Sequence, residues 1–320
     1  MTRVQPALAA ASATGPRVPW QAKFVALAVI WGSSYLLMKV GLQAMDGVQV
    51  AALRLVCAAV VLLPLLIASG GRLPRGGHAW KHIAVSGTLV CSLPWTLFAV
   101  GEERVTSSIT GIANATTPIA AVLFGMVMLR HERIGRARIV GVGVGFVGVV
   151  LIAQPWSLDQ GPDPVGMAMV LVASASYGLG WTYVRRYMSG IDAGGLALPT
   201  AQILLATAQM PFVLLLWWLV AGGDHASPVS LHTTESALIP VLAVIFLGIV
   251  GTGLGQATQY DVVRAAGATV ASSVAFVIPV VAVLLGFVIL GETVAPAALL
   301  GGGLILYAAR LVTRTPKPSP

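Results

Sequence analysis

The chain has 320 residues, of which 57% are hydrophobic and only 9% are charged, whereas about 25% of an ordinary soluble protein is charged. This composition excludes a soluble globular protein, whose surface could not cover so many apolar side chains. The net charge of +8 does not indicate a nucleic-acid partner, because the basic residues lie in small groups between apolar runs and form no single basic face.

Apolar runs recur along the chain at the length of a bilayer-crossing helix, which needs about 20 residues. Backbone amides in hydrocarbon must be bonded within their own helix, so the runs predict an all-α polytopic membrane protein with ten transmembrane helices. A count of nine follows if the third and fourth runs form one bent helix. The predicted helices cover 23–42, 48–69, 82–101, 105–128, 137–154, 165–188, 196–221, 236–259, 265–290 and 296–313.

The charges predict the orientation of these helices. If residues 1–22 form a cytoplasmic tail, all but three of the 19 Lys and Arg residues fall on the cytoplasmic side, as membrane proteins require. The exceptions are Lys39 and Arg104 at outer helix ends and Arg54 within the second helix. The sequence therefore predicts a bacterial inner-membrane protein with both termini cytoplasmic, a periplasmic linker at 155–164 and a C-terminal tail at 314–320.

The two halves of the chain resemble each other. WGSSY at 31–35 matches ASASY at 173–177, and a further ordered series of Pro, Gly, Leu and Glu recurs. Each half holds five predicted helices, an odd number, so the second copy (165–313) enters the membrane from the side opposite to the first (23–154). Such inverted repeats are common in secondary transporters. The matched pairs are Pro118 and Pro279, Gly125 and Gly286, Leu129 and Leu290, and Glu132 and Glu292.

The segments WGSSYLLMKVGL, AALRLVCAAVVLL and IPVVAVLLGFVILGE resemble the EamA family of the drug/metabolite transporter superfamily, over residues 24–313. The resemblance implies a ten-helix exporter built from two five-helix EamA units around a central cavity. The RHE of the first copy departs from the glycine–glutamate pair of the second. Glu132 and Glu292 are therefore both interpreted as loop positions.

Aromatic and polar residues far from the helix ends are candidates to line a substrate cavity. Nine of the tryptophans and tyrosines fall near helix ends, where an interfacial aromatic belt explains them. The others lie at depth, where Tyr hydroxyls and indole N–H groups need partners; packing against lipid or neighbouring helices is the alternative. The cavity candidates are Trp31, Tyr35, Trp95, Tyr177 and Trp181, with Ser34, Asn114, Ser176 and Gln256 as hydrogen-bonding groups.

Glycine and proline interrupt matching helices of the two halves. Pro94 lies in the third predicted helix, and Gly253 lies among glycines in the eighth. Paired interruptions of this kind indicate a transport site, because they weaken a helical turn and free carbonyl groups. Pro118 and Pro279 are further hinge candidates.

Arg54 lies about 9 Å inside the second predicted helix, at 1.5 Å per residue. An intramembrane charge indicates a functional site, but a guanidinium can also reach outward to the interface. The sequence favours a structural anchor at the outer helix ends. Lys39 is shallower and is expected to reach the interface more easily.

The sequence indicates no catalytic residue, metal site or cofactor. Gly143, Gly145 and Gly148 are interpreted as packing positions, as are Gly301–Gly303, with a homodimer contact as a further role. Glu102 and Glu103 are the deepest carboxylates and lie at an outer helix end. This position disfavours a carboxylate proton relay in the membrane, and it also disfavours cationic drugs as substrates. The prediction is an exporter of amino acids or similar small metabolites, working by alternating access in a lipid bilayer. Multidrug efflux, uptake, a membrane enzyme and a structural membrane protein are the alternatives.

Overall fold

Helices make up the regular structure of the chain, and no strand occurs among the residues that the structure describes. The computed structural model describes residues 18–129, 136–154, 161–189, 191, 194–221, 226–232, 236–266, 271 and 273–313. The predicted all-α class is confirmed over these ranges. Glu132 and most of the predicted tails and linker lie outside the described residues.

The first half of the chain folds into apolar helices joined by short turns. An Asp46–Gln49 capping box begins the second helix, and the Thr106 side chain accepts the Ile109 amide at the start of the fourth. A π-helical stretch at Thr88–Ser92 interrupts the third helix, and a turn at 115–116 interrupts the fourth. The helices are α1 (Trp20–Gly41), α2 (Gly47–Ala68), α3 (Gly77–Glu102), α4 (Ser107–Met128) and α5 (Arg136–Ala153).

The second half of the chain also folds into apolar helices. A π-helical stretch at Leu247–Leu254 interrupts the eighth helix, and a 3₁₀ turn at Ser273–Phe276 precedes the ninth. The helices are α6 (Pro164–Tyr187), α7 (Ala197–Ala221), α8 (Leu238–Ala266), α9 (Ile278–Leu290) and α10 (Pro296–Thr313).

Two predicted helix ends are wrong. The eighth helix continues to Ala266 instead of ending at 259, so the ninth cannot begin at 265; its α-helix begins at Ile278. The predicted end of the eighth helix is wrong because the apolar run covers only the part of α8 that suits hydrocarbon, and the helix continues beyond it. The last turns of α8 are polar and carry Asp261, which pairs with Lys23 at the start of α1.

The outward faces of the helices are strongly apolar. Val127, Phe212 and Val220 are 73%, 74% and 78% exposed, respectively, which in water would leave large apolar surfaces unburied. Within the described residues, seven helices are long and apolar enough to cross a membrane, and α5, α9 and α10 contribute shorter apolar segments. The chain is a multi-pass membrane protein.

The helices pack most closely where side chains are small. A Cβ atom on Gly148 would lie 2.8 Å from the Gly301 carbonyl oxygen, and one on Gly301 would lie 2.6 Å from the Gly148 carbonyl oxygen. The backbones of α5 and α10 therefore touch within one chain, as the packing interpretation of these glycines requires. A homodimer contact stays a prediction; Cβ atoms on Gly143 and Gly303 would meet no atom within 4 Å.

Candidate functional site

Arg54 lies on the buried face of α2, packed against α8 and α3. The α2 helix begins at Gly47, and its apolar sequence carries the guanidinium inward until only 9% of the residue is exposed. The Arg54 Nε donates to the Thr252 hydroxyl at 2.9 Å, and the guanidinium carbon lies 4.3 Å from the centroid of the Trp95 ring. The side chain therefore contacts α3 and α8 within the helix core, and its role as an anchor of outer helix ends stays a prediction.

A chain of aromatic rings extends from Arg54. The Trp95 indole N–H donates to the Tyr177 hydroxyl, and Phe98 lies between Tyr177 and Tyr35, with ring centroids 5.8 Å and 6.1 Å away. Three of the predicted cavity aromatics, from α1, α3 and α6, are thus brought together. Phe98 was not predicted, because nothing in an apolar run distinguishes a phenylalanine of the centre from one that faces lipid.

The π-helical stretches of α3 and α8 accept hydrogen bonds from the neighbouring helices. The Trp31 indole on α1 donates to the Gly251 carbonyl of α8 at 3.1 Å. The Ser176 hydroxyl on α6 donates to the Leu89 carbonyl of α3 at 2.8 Å. Since π turns are frequent at functional sites, these two contacts place Trp31 and Ser176 beside the irregular backbone of the protein's centre.

The predicted hinge residues all lie at interruptions of helices. Pro94 follows the π-helical stretch of α3, and Gly253 lies inside that of α8. Pro118 follows the turn that interrupts α4, and Pro279 begins α9 after the 3₁₀ turn. The proline ring cannot donate a hydrogen bond to the preceding turn, which explains why the helix restarts at these points.

The remaining predicted cavity residues are less closely joined to this cluster. Ser34 is buried and donates to the Ile30 carbonyl of its own helix at 3.2 Å. Asn114 is half-buried beside the Tyr35 side chain and accepts the Thr117 hydroxyl at 3.2 Å. Gln256 is half-buried on α8, just beyond the π-helical stretch. Trp181 is 44% exposed on α6 and lies outside the aromatic chain.

Glu102, one of the two deepest carboxylates in the sequence, lies at the end of α3 and is completely buried. Neither carboxylate oxygen of Glu102 has a hydrogen-bond partner. Lys39 does not pair with that carboxylate; its ammonium donates to the backbone carbonyls of Glu102 and Val105. Lys39 is thus tied to the turn between α3 and α4, and its reach to the interface stays a prediction.

Glu292 lies in the turn after α9, as predicted for a loop position, but it also binds the start of α4. Its carboxylate accepts the Ser107 and Ser108 amides at 2.9 and 3.0 Å and the two serine hydroxyls at 3.1 and 2.6 Å. Partial burial raises the pKa of Glu292, but the hydrogen bonds from Ser108 and Ser107 outweigh burial and lower the pKa below its usual value. An ionised carboxylate therefore caps the α4 N-terminus.

Glu103 makes a comparable contact with the start of α2. Its carboxylate accepts the Gly47 amide at 2.6 Å. Burial raises the pKa of Glu103, and the Gly47 hydrogen bond opposes that rise only in part. The two neighbouring glutamates therefore differ, since the Glu103 carboxylate is bonded and that of Glu102 is not.

The described residues contain no group of three or more His, Cys, Asp or Glu side chains that could hold a metal ion. Cys57 and Cys91 are free thiols, of which Cys91 is buried and Cys57 is half-buried. The groups gathered around Arg54 are a guanidinium, aromatic rings, hydroxyls and backbone carbonyls.

Residues 19–154 and 164–314 each match the EamA-like transporter family. The chain belongs to this family. As an EamA-like protein with many apolar helices, it is a membrane transporter, and the names of its relatives indicate transporters rather than enzymes.

Two curated relatives of this EamA-like chain are similar over most of their length. The Escherichia coli protein named uncharacterized inner membrane transporter YedA is 28% identical and covers 90% of this chain and 88% of its own. The Streptantibioticus cattleyicolor protein named probable terminal-alkyne amino-acid exporter is 27% identical over 89% of this chain and 90% of its own. A solved crystal structure has a TM-score of 0.59 at 18% identity, covering 92% of this chain and 97% of that one, and shows the fold alone.

Proposed function

We propose that this protein is a bacterial inner-membrane secondary transporter that exports amino acids or similar small metabolites by alternating access. Its ten transmembrane helices form two inverted five-helix units, residues 23–154 and 165–313, with both termini in the cytoplasm. The observation that carries the proposal is the buried cluster of Arg54, Trp95 and Tyr177, which lies where α2 and α3 of one unit meet α6 and α8 of the other.

The packing of the helices supports the inverted repeat. Helix α1 packs against α8 and α9, and its counterpart α6 packs against α3 and α4. Likewise α2 packs against α8, and α7 packs against α3. The counterparts α5 and α10, α4 and α9, and α2 and α7 contact one another, as a two-fold axis in the membrane plane requires.

Contacts at the predicted outer ends of the helices support a state that is closed on the periplasmic side. Glu292 of the second unit binds the start of α4 in the first. The Gln49 amide of α2 donates to the Pro228 and Ser230 carbonyls at 3.1 and 2.9 Å. In alternating access these contacts would break as the units rock, while the π-helical stretches of α3 and α8 absorb the bending.

The chemistry of the central cluster favours zwitterionic or neutral solutes over cationic drugs. Arg54 places a positive charge in the cluster. Glu102, one of the two deepest carboxylates in the sequence, lies at the outer end of α3. Aromatic rings and hydroxyls supply apolar contact and adaptable hydrogen bonds. A relative named as a probable amino-acid exporter supports the same substrate class.

Counterflow of labelled L-amino acids in proteoliposomes, with and without a pH gradient, tests this function. We expect accumulation of label, and Trp95→Ala is expected to lower it at least about tenfold, because it removes an anchor of the site. Phe212→Ala is the matched control, since Phe212 is 74% exposed on the lipid-facing side of α7. Absence of counterflow, or equal loss in both variants, would contradict the proposal.

Thiol labelling of single cysteines tests the arrangement of the helices. The proposal expects a cysteine at 160 to react from the periplasm and one at 316 to react from the cytoplasm. Both positions reacting from the same face of the membrane would refute the inverted repeat.

A further inference from the structure

Arg54 is a buried cation whose hydrogen-bond and ring contacts with the described residues are uncharged. Its Nε donates to the Thr252 hydroxyl at 2.9 Å, its Nη1 lies 3.8 Å from the Met38 sulfur, and its guanidinium stacks on Trp95. Among the described residues no carboxylate oxygen lies within 4.0 Å of the guanidinium. An unpaired buried charge is costly to a fold, so a residue of this kind calls for a partner that arrives from outside.

The fold itself does not need a charge at this position. A Cβ atom on Gly248 of α8 would lie 2.7 Å from the Arg54 carbonyl oxygen, and one on Gly87 of α3 would lie 3.0 Å from the Gln202 carbonyl oxygen. Arg54 on α2 and Gln202 on α7 therefore occupy equivalent places in the two proposed units. Gln202 fills its place as a neutral side chain, 3% exposed, and donates to the Ser86 hydroxyl at 3.0 Å.

The guanidinium keeps hydrogen-bonding capacity for a ligand. A guanidinium has five N–H donors in a planar fork that matches a carboxylate in two-point contact. The Nε donor is used by Thr252 and one Nη1 donor faces the Met38 sulfur. Trp95 covers one face of the plane, which leaves donors along the edge of the fork.

We propose that Arg54 binds the carboxylate group of the transported solute, an inference that rests on the proposed transport function. The substrate class is then small organic acids and zwitterions that carry a free carboxylate. Trp95, which is itself bonded to the Tyr177 hydroxyl, covers the guanidinium from one side. The solute supplies the negative charge that the described residues do not place beside the Arg54 guanidinium.

The buried carboxylate of Glu102 acts electrostatically on Arg54, and neither of its oxygens makes a hydrogen bond. The competing explanation is that Arg54 serves as a distant counter-charge for Glu102. The test must therefore include a Glu102 variant.

The experiment compares matched solutes in proteoliposomes. The wild-type protein is first tested for exchange of each of the twenty L-amino acids. For each one that it exchanges, the unlabelled amino acid, its amide and its N-acetyl derivative are then measured as competitors of the labelled amino acid. The amide lacks the negative charge, whereas the N-acetyl derivative keeps the carboxylate and lacks the ammonium. We expect the wild type to prefer the two carboxylate-bearing forms by about tenfold to a hundredfold, as a charge-assisted hydrogen bond predicts.

Arg54→Gln, which installs the side chain found at the equivalent place in α7, is expected to reduce this preference to about one. Arg54→Lys, which keeps the charge without the fork, is expected to give an intermediate ratio and also serves if Arg54→Gln fails to fold. Arg72→Gln is the control, since Arg72 is exposed in the turn after α2. It should keep the full preference.

Each other outcome overturns the assignment. If Arg54→Gln weakens the acid and the amide by the same factor, Arg54 has a structural role only. If Glu102→Gln abolishes the preference as fully as Arg54→Gln does, Arg54 is the counter-charge of Glu102. If the wild type exchanges the acid and amide equally well, transport stands and the carboxylate assignment falls; if it exchanges none of the twenty amino acids, both fall.

Discussion

Replacing Glu292 with glutamine tests whether its carboxylate holds the start of α4. In the structure this carboxylate accepts two backbone amides and two hydroxyls from Ser107 and Ser108, at 2.6 to 3.1 Å. Both serines are completely buried, so water cannot take the place of a lost acceptor. Glutamine keeps one acceptor oxygen but turns an NH₂ group toward donors.

The expected loss of stability combines two contributions. Removing a negative charge from a helix N-terminus costs about 0.3–2 kcal/mol, and leaving a buried donor unpaired costs about 1–3 kcal/mol. Because Glu292 is only half-buried, the lower parts of these ranges apply. We expect Glu292→Gln to lower the free energy of unfolding by about 2 kcal/mol at pH 7.

The pH dependence of this loss has a definite sign. The hydrogen bonds from Ser108 and Ser107 leave the pKa of Glu292 below its usual value despite the opposing effect of burial. A carboxyl whose pKa is lower in the folded state adds stability above its unfolded-state pKa, and that stability disappears as the pH falls through the folded-state pKa. The difference between wild type and Glu292→Gln should therefore be complete at pH 7 and shrink below about pH 4.

The assay is unfolding by SDS titration in mixed micelles at pH 7 and at decreasing pH. Asp261→Asn is the control, because Asp261 pairs with Lys23 at an exposed position where an ion pair contributes about 0–1 kcal/mol. Equal stability of wild type and Glu292→Gln at pH 7 would refute the capping role. So would a difference that grows on acidification.

Three further predictions follow from the packing and the buried charges. Gly148→Leu should strongly reduce the folded fraction in fluorescence size-exclusion chromatography, since a Cβ atom there would lie 2.7 Å from Ile305 Cγ1. Gly143→Leu is the control, because a Cβ atom there meets open space. Equal losses in the two variants would contradict the packing of α5 on α10. Arg54→Ala should lower transport more than Lys39→Ala at equal membrane abundance, and a reversed order would argue against the central role of Arg54. Glu102→Gln removes a buried carboxylate without hydrogen bonds and should abolish any response of flux to a pH gradient; a retained response would exclude Glu102 from proton coupling.

The helices could be predicted from the sequence because hydrocarbon imposes one rule on every crossing segment, namely apolar side chains over about 20 residues. That rule concerns the membrane and not the helix, so it fails at Ala266, where α8 continues as a polar helix. The predicted interruptions at Pro94, Pro118 and Pro279 lie at real irregularities, since proline acts locally on its own turn.

The candidate site could be predicted only where a residue is chemically out of place in an apolar run. Tyr35, Trp95 and Tyr177 met that criterion and lie together. Trp181 met it too but is 44% exposed, because sequence depth does not give the direction in which a side chain points. The partners of Glu292 are 184 and 185 residues away in the chain, and no local pattern reports such a contact.

The two halves of the chain differ in charge at one buried position, which is Arg54 in α2 and Gln202 in α7. In the proposed two-unit architecture, close approaches present in both units serve the fold first, as those at Gly87 and Gly248 do. A feature present in one unit alone has no such explanation. Arg54 is charged where Gln202 is neutral, and it contacts Thr252 of α8 and Trp95 of α3 at once. In the proposed transport cycle, Arg54 would bind the solute and would lose or regain these contacts as the two proposed units move, so binding and rocking would act on the same side chain.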